Sequence, residues 1–234
     1  MRTEVEIVAR PGPGGRTVLP VLRASGALAV RATGPGSVHL VGTAAGPLGG
    51  DTITIAIRVE AGARLRVRSA AASVVLPSTL DTPSATSTSL DVAGALELAL
   101  EPTVVTARAA HTATTLARLT GGAELRLTER VVLGRSGEGP GRWTGSVRIE
   151  RDGRPVLHTT QELGPGGAGW APPFTPGAYA TELVLDGSTV DPAVGPDAVR
   201  LPLDGGWTAT SWATHLDAAI IGLPIGTPAV ASVR

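Results

Sequence analysis

The sequence predicts an all-β fold: strands stacked into a β-helix-like or roll-like single domain with one or two short helices. Three observations lead there. Apolar and polar residues alternate with period two through the first two thirds of the chain, the pattern of strands with one face on a core and one in water. The 31 glycines and 19 prolines make up about a fifth of the 234 residues, without collagen's three-residue period, so they punctuate strands. The dipeptides Gly62-Ala63, Gly94-Ala95 and Gly122-Ala123 lie 32 and 28 residues apart, a spacing of roughly 30 that suggests stacked units.

Taken in order, Ile53, Ile55, Ile57 and Val59 share one face of the first clear strand. Arg64, Arg66 and Arg68 alternate with Leu65 and Val67, and Leu96, Leu98 and Leu100 with Glu97 and Ala99. Glu124, Arg126, Thr128 and Arg130 interleave with Leu125 and Leu127, and Val147 and Ile149 with Ser146, Arg148 and Glu150. Each Gly-Ala opens a strand; the first and third units share Gly-Ala-x-Leu-x-apolar, while the second is out of register by one. Asp152-Gly153 between two alternating runs signals a two-residue hairpin. Residues 164–177, rich in glycine and proline, read as a long surface loop. From Thr210 to Ile221 the period turns helical, with Trp212, Leu216, Ala219, Ile220 and Leu223 on one stripe. No composition shift marks a second domain. The N-terminus has no apolar export segment, and 218–230 is shorter than the ~20 residues of a membrane span, so the expected compartment is the cytoplasm.

Composition excludes several functions. Twenty acids balance twenty bases, all of them Arg, and one Phe and one Tyr accompany four Trp; a nucleic-acid binder needs a basic field and stacking rings. The absence of Cys removes disulfides, thiolate metal sites and a cysteine nucleophile. The absence of Lys removes a Walker A loop and Schiff-base chemistry. The four histidines, His39, His111, His158 and His215, show no His-x-His or His-Glu-x-x-His spacing. Gly164-Pro165-Gly166-Gly167-Ala168-Gly169 fits G-x-G-x-x-G, but Trp170-Ala171-Pro172-Pro173 follows where a dinucleotide site needs a helix. No Gly-x-Ser-x-Gly elbow is present.

The carboxylates carry more. Asp51 follows two glycines at the head of an apolar strand. Glu129 falls on the apolar face if its strand runs unbroken, where it must be paired, protonated or on a wet cavity; a bulge after Leu127 turns it outward instead. Glu101 precedes a proline, which biases it to an extended conformation. Arg135 and Glu138 share a glycine-flanked loop and can pair.

In order, Gly46-Pro47-Leu48-Gly49-Gly50-Asp51, Val59-Glu60-Ala61-Gly62-Ala63, Gly94-Ala95-Leu96-Glu97, Glu101-Pro102-Thr103, Leu133-Gly134-Arg135-Ser136-Gly137-Glu138 and Arg148-Ile149-Glu150-Arg151-Asp152-Gly153 resemble the urease accessory protein D family, UreD or UreH. The likeness spans residues 46–163 and is diffuse over 164–234. The family's Thr-Gln-Ala-Ala-Thr-Lys-Val-Tyr signature falls on Ser69–Val75, where Ala70, Ser73 and Val75 replace its Gln, Lys and Tyr.

The resemblance implies a non-catalytic β-helix-like scaffold, homo-oligomeric within a complex, that binds UreF, through it the GTPase UreG, and the urease apoprotein. It implies transient Ni²⁺ passage along an interior lined by oxygen ligands, with no tightly bound cofactor. The nickel path or partner contacts fall on Asp51, Glu101, Arg135 and Glu138, and strand parity adds Glu129. Competing readings are a carbohydrate-active β-solenoid enzyme with paired carboxylates and a binding module with no metal role.

Overall fold

The computed structural model describes residues 1–79, 82–167 and 176–216. Its strands are β1 Arg2–Pro11, β2 Thr17–Ser25, β3 Leu28–Gly34, β4 Ser37–Gly42, β5 Thr52–Val59, β6 Arg64–Ser69, β7 Ser73–Val75, β8 Ser84–Val92 and β9 Ala95–Ala99. They continue as β10 Thr103–Val105, β11 Ala110–Leu119, β12 Glu124–Leu133, β13 Arg142–Arg151, β14 Arg154–Leu163, β15 Ala178–Leu185, β16 Ala193–Val194, β17 Ala198–Leu203 and β18 Gly206–Ala213. A 3₁₀ turn, Pro13–Gly15, sits between β1 and β2. Among the described residues no helix is long and apolar enough to cross a membrane.

The chain winds as stacked coils. One sheet runs β14-β13-β11-β8-β5-β1-β2, with β1, β5, β8, β11 and β13 mutually parallel. The facing sheet runs β16-β17-β18-β15-β12-β9-β6-β4-β3, with β4, β6, β9 and β12 parallel. The short strands β7 and β10 add a third ladder, parallel to each other and to the end of β12. Each coil therefore visits the first sheet, crosses to the second, and returns one rung along. Stacked positions recur as Thr52, Ala85, Thr112 and Thr144 in the first sheet and as Leu65, Leu96 and Leu125 in the second.

The coil spacing explains the Gly-Ala repeat and its slip. Arg64, Ala95 and Glu124 are in register, so Gly94 stacks between Ala63 and Ala123. A Cβ at Gly94 would stand 2.3 Å from the Ala63 carbonyl oxygen and 2.5 Å from that of Glu60. The previous coil passes too close for a side chain, and the middle unit shifts by one residue to place glycine there. The Asp152-Gly153 turn has φ of 49° and 76°, the paired positive values of a type I′ hairpin.

Alternation buries one face of each sheet against the other. One end of the interior is aliphatic: Ile57, Leu90, Ala117 and Ile149 are adjacent at one level and face Leu65, Val67, Leu96, Leu98, Leu125 and Leu127 of the second sheet. Burying a side chain such as Leu90 contributes about 1.5–3 kcal/mol. The opposite end is polar, with Asp51, Ser84 and His111 at one level and Thr86 and Thr88 at the next two. Outside, Arg66 and Arg68 meet Glu97 at 3.0 and 2.7 Å, and Arg126 meets Glu182; such exposed pairs add little each.

One expectation is corrected. Thr210–Ala213 is the end of strand β18, paired with β15 through Ala213 and with β17 through Ser211, not the start of a helix. Trp207-Thr208-Ala209-Thr210 is a β-branched and aromatic run that suits a pleated surface, and two neighbouring strands satisfy its backbone. Residues 217–221 of that expected helix, residues 168–175 of the expected loop and the apolar stretch 218–230 lie outside the described residues.

Candidate functional site

At the polar end the two sheets part around a cavity of about 290 Å³ whose lining includes Asp51, Ser69, Ser73, Thr86, Glu101, Thr103 and His111. Its walls come from strands distant in sequence, brought together by coil stacking.

Asp51 is set by its turn. The Asp51 amide donates to the Leu48 carbonyl at 2.9 Å, and Gly50, with φ of 87°, makes the reversal possible. One carboxylate oxygen pairs with the Met1 amine, and the other accepts from the Leu48 amide at 2.9 Å. Burial alone raises the carboxyl, but those hydrogen bonds outweigh it and hold Asp51 below its usual range. It is a buried, ionised oxygen donor facing the cavity.

Glu101 stands exposed on the same lining. Its amide donates to Ser69 Oγ at 2.8 Å, and its carboxylate lies 3.8 Å from Arg130, which is anchored on the Leu100 carbonyl at 2.7 Å.

Glu129 resolves the alternative left by the sequence. β12 pairs with β15 without a break from Leu125–Leu185 to Val132–Ala178, so no bulge intervenes and Glu129 points to the apolar side between Leu127 and Val131. Burial pushes its carboxyl up to about 7. The residue nonetheless keeps some accessible surface. Beside it on β15, burial raises the Tyr179 hydroxyl, and the Glu129 charge adds to the rise.

Arg135 and Glu138 come together elsewhere. Arg135 Nε and Nη2 donate to the two Glu138 carboxylate oxygens at 2.9 and 3.2 Å, and the Arg135 amide adds a third bond at 3.1 Å. The pair closes an exposed surface turn after β12 and is not part of the cavity lining. Trp143, Tyr179 and Trp212 pack on one another, with ring centroids 5.6 and 6.3 Å apart, and thus furnish no sugar platform along a groove.

His111 carries no metal-binding spacing in the sequence, and its surroundings come from the fold. It is buried on the inner face of β11, with Nδ1 2.8 Å from Ser84 Oγ on β8. Burial pushes the imidazole down to about 4, so it is neutral at pH 7. The available signal was parity: His111 shares the inward phase of Ala113, Ala117 and Leu119. Among the described residues no three His, Asp or Glu side chains gather to hold an ion. The interior offers donors singly.

The chain matches the family described as UreD urease accessory protein over residues 2–190. It is 38% identical over 242 residues to the urease accessory protein UreD of Streptomyces coelicolor (strain ATCC BAA-471 / A3(2) / M145), covering 88% of this chain and 95% of that one. It is 35% identical over 237 residues to UreD 1 of Saccharopolyspora erythraea, covering 95% and 93%. With UreD of Streptomyces avermitilis the figures are 41% over 186 residues, covering 76% and 74%. The coiled β architecture and these likenesses across nearly the whole chain agree: it belongs to the UreD urease accessory protein family.

Proposed function

We propose that this chain acts in urease maturation as a non-catalytic scaffold that seats UreF, and through it the GTPase UreG, on the urease apoprotein and passes Ni²⁺ toward the urease active site. The complex is cytoplasmic and contains more than one copy of the chain. The observation that carries this reading is the hollow between the sheets, whose mainly apolar lining carries separate oxygen donors, buried, ionised Asp51 among them. A closed cage of imidazoles and carboxylates holds Ni²⁺ tightly, whereas single donors spaced along a cavity bind it weakly enough to release it. In this scheme Asp51 and Glu129 serve the interior, Glu101 the mouth, and the Arg135–Glu138 turn an external contact.

The partner half is tested by co-purification of the full chain with urease apoprotein, UreF and UreG from the same organism. The expected result is one assembly containing all four. Recovery of the chain alone, with the other three still associating, overturns the scaffold role.

A further inference from the structure

The geometry points to a nitrogen ligand on the metal path: His111, through Nε2, is a station for a first-row divalent transition-metal ion, entered from Asp51. This inference rests on the metal-passage reading above and assigns a residue to it. Three observations support it. First, coil stacking places Asp51, the residue before β5, alongside Ser84 and His111 at the ends of the adjacent parallel strands β8 and β11, all three buried, and Asp51 and His111 line one cavity.

Second, a hydrogen bond orients the ring. Ser84 Oγ lies 2.8 Å from His111 Nδ1 and 3.4 Å from the Ala110 carbonyl, so Nδ1 is held by Ser84 and Nε2 is the nitrogen left to face a ligand. Metal binding selects the tautomer in which Nδ1–H donates to Ser84 Oγ and Nε2 carries the lone pair. A metal-binding histidine is commonly held in this way, its second nitrogen donating to an oxygen behind it.

Third, His111 also lines a cleft of about 230 Å³ with Arg142, Trp143, Glu162 and Gly166. His111 therefore borders both the inner hollow and a second cleft. Parallel strands lie about 4.8 Å apart, so Asp51 and His111 are roughly 10 Å apart, too far to hold one ion together. The transfer is a stepwise ligand exchange without redox change: a water replaces the carboxylate oxygen as the ion leaves Asp51, the hydrated ion crosses the cavity, and the Nε2 lone pair then displaces one of its waters, with no proton lost from the ring.

The test uses ¹⁵N-histidine NMR of the full chain titrated with Ni²⁺ at pH 7. The His111 ring signals are recognised in the wild type as those that do not titrate between pH 5.5 and 8, and by their loss in His111→Gln. Paramagnetic broadening of these signals at Ni²⁺ concentrations no higher than those affecting the exposed His158 and His215 is the expected result. Ser84→Ala, which removes the bond that orients the ring, should raise the concentration needed by at least tenfold, in line with the usual effect of losing an orienting partner. Sharp His111 signals while His158 and His215 broaden overturn the assignment. If they stay sharp while Asp51→Ala still lowers nickel loading of urease, the passage stands and bypasses His111; if Asp51→Ala leaves loading unchanged as well, the passage itself fails.

Discussion

Replacing Glu129 by Gln should make the stability of the protein less dependent on pH, by an amount set by the burial of that carboxyl. Its pKa is pushed from 4.5 up to about 7 in the folded chain, whereas the unfolded chain titrates near the ordinary value. Between these values the folded state holds the proton and the unfolded state does not. Stability contributed by the protonated carboxyl is thus full below about pH 4.5 and is lost as pH rises through about 7. At 1.36 kcal/mol per unit the loss comes to about 3 kcal/mol by pH 8. For a chain of this size that is a shift in melting temperature of roughly 6–12 °C. Gln has the same shape and no charge, so the difference between Glu129→Gln and wild type should grow by about 3 kcal/mol from pH 4.5 to pH 8. Urea unfolding of both proteins at the two pH values measures it. An equal difference at both values refutes the reasoning and moves Glu129 to a solvated or paired setting.

Other outcomes follow from the same geometry. Gly94→Ala forces a Cβ to within 2.3 Å of the Ala63 carbonyl oxygen and should destabilise the coil stack by about 2 kcal/mol or more, read from the urea midpoint. Arg135→Ala breaks an exposed pair and should change stability by less than about 1 kcal/mol, so loss of a partner in co-purification would reflect contact at that turn. Far-ultraviolet circular dichroism should show a β-dominated spectrum with helix well below the roughly one-third average of globular proteins.

Much of the architecture was legible because a strand's side-chain period is two: the runs at Ile53–Val59 and Leu96–Leu100 leave no other way to bury their apolar members. The Gly-Ala spacing exposed the coil length, and its slip at the middle unit reflects the close carbonyls around Gly94. The stretch at 210–213 was misread because Trp212, the first member of an apparent helical stripe, lies in strand β18 opposite Tyr179. Asp51 was visible through the two glycines before it. Glu129 was visible up to a choice of register that only the pairing of β12 with β15 decides. The Ser84–His111 contact was not visible, because stacking joins residues 27 apart that no local pattern connects.

Nickel loading of urease apoprotein by the reconstituted complex, with wild-type chain or with Asp51→Ala or Glu101→Ala, bears most directly on the passage. Urease activity and co-purified UreF are measured on the same samples. Activity should fall for both variants, more for buried Asp51 than for Glu101 at the mouth, with UreF retained at the wild-type ratio. Unchanged activity with both variants would contradict the passage, and loss of UreF in step with activity would make these side chains part of the partner interface instead.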